Sequence, residues 1–401
     1  MSSKDAGLAE VGARPLSYGL ILTMAVACGV AVANIYYNQP MLGVIKRDFA
    51  NSWWVGLIPT ATQIGYGLGL FLLVPLGDLM DRRHLIVGQF LLLGGASFAA
   101  SLAPNAAALV AASLVVGACA SVAQQIIPFA ASLAAPEKRG STIGTVMAGL
   151  LCGILLSRLL AGVVATYAGW REMFQLGLPI SVGGAIAMAI ALPRNYPHTG
   201  IAYIEALKSL VHLWVAEPSL RRASLMQAAM FASFSAFWTV LALHLEGPQF
   251  GLGADAAGFF GVVGVVGVVA APLAGGLADR RGTDLVLCLG AALVVLAWLL
   301  FGVWDSMAGL VAGVIIMDLG AQSTLISNQH MIYALRPEAR SRLNTVFMTT
   351  MFVGGAFGSI GGIAAWESGG WIAVCCFGAA LALAALSVEK LGRAEVARDA
   401  S

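Results

Sequence analysis

The stretch "GDLMDRR" at residues 77–83 returns later in the chain as "GGLADRRG" at residues 275–282. Each copy follows a long apolar run, and their aspartates, Asp81 and Asp279, are 198 residues apart. Two further pairs recur at an offset of 201 residues, namely Pro136-Glu137 with Pro337-Glu338 and Gly169-Trp170 with Gly370-Trp371. A repeat of about half the chain, in the same direction, predicts two similar halves.

The composition places these halves in a membrane. The chain has 401 residues, of which 59% are hydrophobic and 10% are charged. A water-soluble protein of this length cannot bury so much apolar surface. The net charge of +2, without a dense basic stripe, also excludes a nucleic-acid-binding protein. We therefore expect the lipid bilayer to be a partner of this chain and nucleic acid not to be one.

Cutting the chain at charges, prolines and turn residues predicts about twelve membrane-spanning helices, since about twenty apolar residues cross a bilayer. These spans, numbered one to twelve, cover residues 16–42, 53–76, 85–103, 106–134, 141–166, 172–192, 220–245, 254–277, 285–303, 307–334, 342–366 and 371–388. They divide into an N-terminal half at 1–192 and a C-terminal half at 220–401, joined by a cytoplasmic linker at 193–219. Within the linker, "IAYIEALKSLVHLW" at 201–214 predicts a short amphipathic helix.

Positive charges predict the orientation of these spans. If the N-terminus is cytoplasmic, nearly all Lys and Arg residues lie on the cytoplasmic side, and the opposite side keeps only Lys46, Arg47 and Arg171. This asymmetry predicts both termini in the cytoplasm, with the chain in the inner membrane of a bacterium. The first apolar run is too long for a signal peptide and should be retained as span one. Two parallel six-helix halves around a central site form a transporter architecture.

The repeated loops resemble the signature of the major facilitator superfamily, Gly-x-Leu-Ala-Asp-Arg-x-Gly, and the resemblance covers essentially the whole chain. One copy follows span eight, and the other follows span two with His84 where glycine is usual. The resemblance implies an all-α polytopic membrane protein, whose two six-helix halves have pseudo-twofold symmetry and operate by alternating access. The aspartates can accept hydrogen bonds from a helix N-terminus or a loop arginine. The expected conformational-switch residues are Gly77, Asp78, Asp81, Arg82, Gly275, Asp279 and Arg280.

Span five is similar to the antiporter motif of the drug and metabolite efflux branch of that family. Gly144 and Gly153 have the spacing of the motif, but Arg158 stands where proline is usual. Span four has Ser113 where the branch usually carries an arginine, so Arg158 is the candidate to replace that arginine. Span one adds "NIYYNQP" at 34–40, which looks like a pattern common in the branch. The resemblance implies a proton antiporter that exports a small organic compound.

Arg158 and Asp318 are the only charges well inside the predicted spans. Either charge is costly in lipid, so both should face a cavity or a partner. The helical rise places them about 12 Å and about 16 Å from the outer ends of spans five and ten. We predict that Asp318 binds the coupling proton, because a low-dielectric cavity favours a neutral carboxyl group. Arg158 then tunes Asp318 or holds an anionic group of the substrate; a structural pair between the halves is the alternative.

The resemblance places spans one, four, seven and ten around the cavity and spans two, five, eight and eleven beside them. Aromatic, methionine and amide side chains on these spans suit an amphipathic organic solute. The predicted substrate-binding residues are Asn34, Tyr37, Asn38, Gln63, Tyr66, Gln124, Gln227, Phe231, Phe234, Trp238, Gln322, Asn344 and Met348. The smooth, glycine-rich span eight should pack closely against span five.

Within "NIYYNQP", the proline predicts a helix break at residue 40. Asn34, Tyr37 and Asn38 then share the face toward the cavity, while Tyr36 and Gln39 turn toward neighbouring helices. The alternative is that the tyrosines are interfacial anchors.

Several other functions fit the sequence less well. A proton-coupled importer of a small, anionic metabolite is the nearest alternative, because the same fold works in either direction. Histidines and carboxylates are too dispersed for a metal site, and no nucleophile and base form an enzyme motif. There is no Walker-type loop, so we expect an ion gradient, of protons or of sodium, to supply the energy. We expect no cofactor and a monomeric protein; a receptor that does not transport is a further alternative.

Overall fold

The computed structural model describes residues 17–50, 52–194, 202–264, 282–336 and 339–399. Its α-helices run over Tyr18–Tyr36, Asn38–Asp48, Ile58–Leu72, Arg82–Ser101, Ala106–Ala120, Ala123–Leu133, Arg139–Tyr167, Trp170–Ala191, Tyr203–Ala216, Pro218–Leu245, Ala254–Val263, Thr283–Val303, Met307–Leu335 and Arg340–Asp399. Short 3-10 helices lie at Trp53–Leu57, Val74–Asp78 and Pro136–Lys138. Within these residues, ten helical stretches are long and apolar enough to cross a membrane. The predicted all-α polytopic membrane fold is confirmed.

Span one is longer than predicted and is interrupted earlier. It runs as Tyr18–Tyr36 and Asn38–Asp48, with a turn at Tyr37 between the two helices. Pro40 has no N–H group to bond the carbonyl of Tyr36, so the hydrogen-bond ladder fails one turn before the proline. The break predicted at Pro40 is therefore wrong: Tyr37 keeps helical dihedrals, and the helix continues through the proline to Asp48.

Spans four, eleven and twelve also contain breaks. Span four consists of Ala106–Ala120 and Ala123–Leu133, and spans eleven and twelve meet at Gly369 and Gly370. Gly370 has φ of 63°, a conformation that glycine adopts without the penalty of a side chain. The boundary predicted between residues 366 and 371 therefore agrees with the structure.

Part of span eight and its loop lie outside the described residues. The helix is described over Ala254–Val263, whereas the prediction extends to residue 277. The loop that holds Gly275, Asp279 and Arg280 is also outside the described residues, and its switch role stays a prediction.

The linker contains a helix at Tyr203–Ala216. Leu210 and Leu213 are its buried residues, and the Tyr203 hydroxyl donates a hydrogen bond of 2.8 Å to the carbonyl of Leu72 at the end of span two. The linker helix is thus attached to the N-terminal half by one side.

The bundle end that carries Arg47 and Arg171 is called the outer end, after the predicted orientation. Buried apolar side chains form an outer cluster, which includes Tyr37 and Trp238, and an inner cluster, which includes Tyr36 and Tyr66. Each cluster takes side chains from both halves. The boundary between the two clusters therefore crosses the middle of the interface between the halves.

Close helix packing joins the halves. A Cβ atom added at Gly258 in span eight would lie 2.6 Å from the carbonyl oxygen of Arg158 in span five, so only glycine permits this approach. Spans two and eleven meet through Tyr66 and Phe352, whose ring centroids are 4.2 Å apart. The predicted contact between spans five and eight is confirmed.

Candidate central charged site

Arg158 lies between the halves and is only 3% exposed. Its Nε donates a hydrogen bond of 3.3 Å to Gln39 Oε1 in span one. Its guanidinium carbon lies 4.8 Å from the ring centroid of Tyr36 and 3.8 Å from that of Trp238 in span seven. A desolvated cation over an aromatic face gains about 2 kcal/mol. Residues of both halves therefore hold this charge in place.

Two buried N–H donors beside this charge lack an acceptor. Arg158 Nη2 and Trp238 Nε1 have no hydrogen-bond partner among the described residues. Both side chains line a narrow crevice with Gln39, Pro40 and Ala257, and the crevice is too tight for a water molecule. A buried donor without a partner costs about 1–3 kcal/mol. The site is therefore short of hydrogen-bond acceptors, the groups that an anionic ligand carries.

Asp318 in span ten packs against the same glycine-rich face of span eight as Arg158 does. It is 5% exposed. A Cβ atom added at Gly264 would lie 2.6 Å from Asp318 Oδ2, and one added at Gly261 would lie 2.9 Å from Arg158 Cβ. Gly261 and Gly264 are about one helical turn apart on the same face. Arg158 and Asp318 therefore flank one face of span eight at neighbouring depths, as their predicted depths required.

The two charged groups do not bond to each other. Among the described residues they form no direct ion pair, although each charge acts electrostatically on the other. Asp318 also has no hydrogen-bond partner in the described part of the chain. Arg158 is thus anchored by its surroundings, whereas the Asp318 carboxyl group is not.

The residues of "NIYYNQP" that contact Arg158 are not those predicted to face the cavity. Tyr36 and Gln39 contact Arg158, while Tyr37 packs into the outer cluster. Asn38 Nδ2 donates a 2.8 Å hydrogen bond to Thr62 in span two. The amide of Asn38 is therefore turned toward span two, while the side chains of residues 36 and 39 face the centre.

Asn34 also bonds within the N-terminal half. Its Oδ1 accepts a 3.2 Å hydrogen bond from Ser97 Oγ in span three, and its Nδ2 donates to Val30 in its own helix. A signal was available in the sequence: a buried Arg158 needs an acceptor and aromatic faces, which Tyr36 and Gln39 supply at i and i+3.

Span two contributes two predicted residues to the contact between the halves. Gln63 Oε1 accepts a 3.3 Å hydrogen bond from Ser235 in span seven. Tyr66 packs against Phe352 with tilted rings and lies beside Gln124 in span four. Gln63, Tyr66 and Gln124 are therefore brought together at the interface, beside Ser235 and Phe352, which no sequence pattern had singled out.

An aromatic row connects this contact to Arg158. The ring centroids of Phe352 and Phe231 are 5.1 Å apart. Those of Phe231 and Phe234 are 5.9 Å apart, and those of Phe234 and Trp238 are 6.0 Å apart. Three of these residues were predicted from their spacing on span seven. The row forms an apolar wall that ends at the guanidinium of Arg158.

The predicted amides of the C-terminal half form separate local pairs. Gln227 Oε1 accepts a 3.2 Å hydrogen bond from the fully buried Asn328, a residue that the sequence did not single out. Asn344 Oδ1 accepts one of 2.9 Å from the hydroxyl of Tyr333.

Two remaining predicted residues lie near these pairs. Met348 Sδ is 4.0 Å from Gln329 Nε2. Gln322 is half-buried about one turn from Asp318 on span ten and makes no hydrogen bond within the described residues. The structure does not bring these residues to Arg158.

Comparison with known proteins agrees with this architecture. Residues 19–359 and 223–394 match the model of the Major Facilitator Superfamily. The chain belongs to the Major Facilitator Superfamily. It is 40% identical over 377 residues to the uncharacterized transporter YgaY of Escherichia coli O157:H7, covering 93% of this chain and 95% of that protein.

Two more distant matches fit the same family. A multidrug resistance protein B homolog of Mycobacterium tuberculosis is 24% identical over 425 residues, with 86% of this chain and 76% of that protein covered. The solved structure of the nucleoside transporter NupG aligns with a TM-score of 0.77 at 11% identity, covering 93% of this chain and 99% of that chain, which supports the fold alone. As a superfamily member, this chain is a multi-pass membrane transporter for a small molecule, and this class of protein is generally not enzymatic.

The superfamily loop after span two is ordered by its own residues. Arg82 donates through Nε to the carbonyl of Gly77, at 2.9 Å, and through Nη2 to Asp78, at 2.8 Å. Asp81 Oδ1 accepts a 3.0 Å hydrogen bond from the backbone N–H of Arg83 and so caps span three. The expectation that Asp81 accepts from a helix N-terminus is confirmed.

Proposed function

We propose that this superfamily member is a secondary active transporter that exports a small organic compound across the bacterial inner membrane in exchange for protons. The observation that carries the proposal is the buried Asp318 carboxyl group, which has no fixed partner and lies beside the anchored cation of Arg158. Such a carboxyl group must be either protonated or matched by another cation. A substrate and a proton can therefore replace each other at Asp318.

The proton step follows from the charges around Asp318. Among the described residues, Arg158 is the charged group that acts on it. In the outward-facing state, Asp318 takes a proton from the outside, and the site reorients with Asp318 neutral and Arg158 held by Gln39, Tyr36 and Trp238. On the inner side the proton leaves, and the carboxylate binds the next substrate.

The outer ends of the halves supply a gate for this cycle. Arg47 in span one forms a 2.5 Å ion pair with Glu246 after span seven, and Lys46 forms a 3.9 Å ion pair with Glu367 in span eleven. Both pairs join the two halves and close the outer end. The solvent-accessible pair of Lys46 and Glu367 is worth about 0–1 kcal/mol, whereas Glu246 is largely buried, so its pair with Arg47 is the stronger contact of the gate.

The wall of the site supports an amphipathic organic substrate. The aromatic row of Phe352, Phe231, Phe234 and Trp238 offers apolar area, while Gln63 and Gln124 offer amides beside it. The name of the mycobacterial relative, a multidrug resistance protein homolog, favours efflux over uptake. The distribution of Lys and Arg supports cytoplasmic termini, and we expect a monomer to be sufficient for transport.

A flux assay with opposite pH gradients tests this proposal. A thermal-shift screen of metabolites and antibiotics on the purified chain first supplies a transported probe, which is then offered to proteoliposomes. An antiporter accumulates the probe in a lumen that is more acidic than the medium, whichever way the protein is inserted. A proton-coupled importer instead accumulates it in a more alkaline lumen, and that result would reject the proposal.

Two controls define the coupling ion in this assay. A protonophore should abolish accumulation, and replacing sodium with choline should leave it unchanged. Accumulation that survives the protonophore but requires sodium would contradict proton exchange.

A further inference from the structure

The crevice at Arg158 has the chemistry of a carboxylate site. Its two unpartnered groups, Arg158 Nη2 and Trp238 Nε1, are both N–H donors. The rings of Tyr36 and Trp238 lie 4.8 Å and 3.8 Å from the guanidinium carbon, and Nη2 is the unpartnered edge that a ligand can bond. A planar carboxylate matches the edge of a guanidinium group through charge-assisted hydrogen bonds. The ligand for this side of the site is therefore an organic acid.

The neighbouring carboxyl group requires the opposite charge. Asp318 is buried, without a hydrogen-bond partner in the described part of the chain, and lies about one helical turn along the same glycine face. A deprotonated Asp318 therefore needs a cationic donor from the ligand. Because Gly261 and Gly264 have no side chains, span eight packs closely against both Arg158 and Asp318, and the two groups are neighbours along one helix face.

We propose that the substrate is an amphipathic zwitterion with adjacent carboxylate and ammonium groups, of the α-amino acid type. Its carboxylate binds Arg158 and Trp238, and its ammonium group binds Asp318. This assignment rests on the proposed function, because it makes the ammonium group and the transported proton competitors for Asp318.

Charge balance distinguishes the zwitterion from simpler ligands. A ligand with only a carboxylate satisfies Arg158 but leaves an ionised Asp318 unpaired, so it binds best together with a proton. A ligand with only an ammonium group leaves the donors of Arg158 and Trp238 unpaired. An uncompensated buried charge is strongly unfavourable. The zwitterion alone matches both groups when Asp318 has released its proton, as antiport requires.

The aromatic row receives the apolar part of such a ligand. Phe234 contacts Trp238, and Phe231 continues the row toward Phe352. A side chain attached next to the two charged groups would lie along this surface once the crevice opens. Large apolar amino acids are therefore the appropriate probes.

A matched set of ligands tests the assignment by binding alone. The purified full-length chain in lipid nanodiscs is titrated calorimetrically, at neutral pH, with phenylalanine, leucine and methionine. Each is compared with its amide, which lacks the carboxylate, and with its N-acetyl derivative, which lacks the ammonium group. We expect at least one free amino acid to bind about tenfold or more tightly than both derivatives, the ratio for one charge-assisted hydrogen bond. Equal affinities within every set, or no binding of any free amino acid, would overturn the proposal.

Substitutions assign each end of the ligand. Arg158→Gln should remove the preference for the free acid over its amide, and Asp318→Asn should remove the preference over the N-acetyl acid. Trp238→Phe keeps an aromatic ring but removes its N–H donor, and it should reduce the preference for the free acid over its amide severalfold. This variant tests the carboxylate end even if Arg158→Gln does not fold. Arg194→Gln, at an exposed arginine, is the control and should keep both preferences. Preferences that survive all three site variants would reject the assignment.

Flux measurements separate this inference from the proposed function. If the zwitterion preference is found but a pH gradient does not drive flux of the bound amino acid, proton antiport fails and the ligand assignment stands. If a pH gradient drives export of another compound and no amino acid binds, the assignment fails and antiport stands.

Discussion

Arg158 and Asp318 have similar depths and burial but opposite surroundings. Three side chains hold the guanidinium: Gln39 by a hydrogen bond, and Tyr36 and Trp238 by their ring faces. The carboxyl group of Asp318 faces Gly264 and has no hydrogen-bond partner within the described residues. One charge is fixed in position and the other is exchangeable.

This difference separates two tasks of a coupled transporter. A fixed cation can recognise and orient a ligand, because its own position costs no further ordering. A carboxyl group without a fixed partner can exchange a proton for a cationic group, because neither state has to break a protein hydrogen bond. Substitutions at the two positions should therefore fail in different ways.

The largest effect is expected for Asp318→Asn, which keeps the shape of the side chain but removes the exchangeable proton. Flux driven by a pH gradient should fall to the level of empty vesicles. Exchange of labelled for unlabelled substrate without a gradient should persist at a reduced rate, since it requires no proton. Asp255→Asn, at the outer start of span eight, is the control. Full gradient-driven flux in Asp318→Asn would remove Asp318 from the coupling mechanism.

A smaller effect is expected for Arg158→Lys, which keeps the charge but loses the planar group stacked between Tyr36 and Trp238. The loss of stacking and edge geometry should weaken substrate binding about tenfold. The number of protons exchanged per substrate should not change, because Asp318 is intact. Equilibrium binding and the reversal potential of flux measure these two quantities. A changed proton ratio would show that Arg158 is not only an anchor.

Gly264→Ala should disturb the free carboxyl group without touching the anchored cation. The added methyl group would lie 2.6 Å from Asp318 Oδ2 and must displace it, so gradient-driven flux should fall severalfold. Gly95→Ala, in span three, is a matched control, because an added Cβ there has no neighbour within 4 Å. That control should keep its flux and gain up to about 1 kcal/mol of helix stability. Equal flux in both variants would argue against a required position for Asp318.

Glu246 is a second carboxyl group for this comparison, and unlike Asp318 it has a fixed partner, Arg47. Burial raises the pKa of Glu246 above its ordinary value of 4.5, and the ion pair with Arg47 offsets part of this shift. A proton therefore binds more tightly when the outer end is closed than when Glu246 is exposed to water. Closure should be favoured as pH falls below the raised pKa and weakened as pH rises through it.

Pulsed electron paramagnetic resonance measures this small effect as the distance between spin labels at Leu102 and Gln249. The labels are attached to a chain without its native cysteines. The distance distribution should shift toward the closed state at acidic pH, and Glu246→Gln should remove most of the pH dependence. A shift toward the open state on acidification would mean that loss of the ion pair outweighs the burial of Glu246.

The sequence predicts the long elements of this fold better than their rotations. Apolar lengths and turn residues located the spans, and the glycines of span eight predicted its contact with span five. The depths of Arg158 and Asp318 followed from helical rise. These features depend on local composition or on spacing along one helix, which the sequence contains directly.

The rotation of span one could not be obtained in the same way. Asn34 and Asn38 look suitable for a cavity, but each bonds to another helix: Ser97 donates to the amide oxygen of Asn34, and the amide nitrogen of Asn38 donates to Thr62. Their partners lie 63 and 24 residues away, so the choice of face depends on tertiary packing rather than on span one itself.

Span one keeps helical dihedrals at Tyr37, with φ of −58° and ψ of −40°, but Pro40 gives no hydrogen bond to the carbonyl of Tyr36, so the helix should bend most easily here. The inner segment of span one, Tyr18–Tyr36, packs tightly against span five at Gly29, where an added Cβ would lie 2.5 Å from the Gly149 carbonyl oxygen. This segment ends with Tyr36. The outer segment, Asn38–Asp48, carries Gln39 near its start and Arg47 near its end. When the ion pair of Arg47 breaks, we expect the outer segment to move. This movement draws Gln39 away from Arg158, while Tyr36 keeps its position. The movement that opens the outer end would thus also free Arg158 Nε, a third N–H donor of the site beside Arg158 Nη2 and Trp238 Nε1.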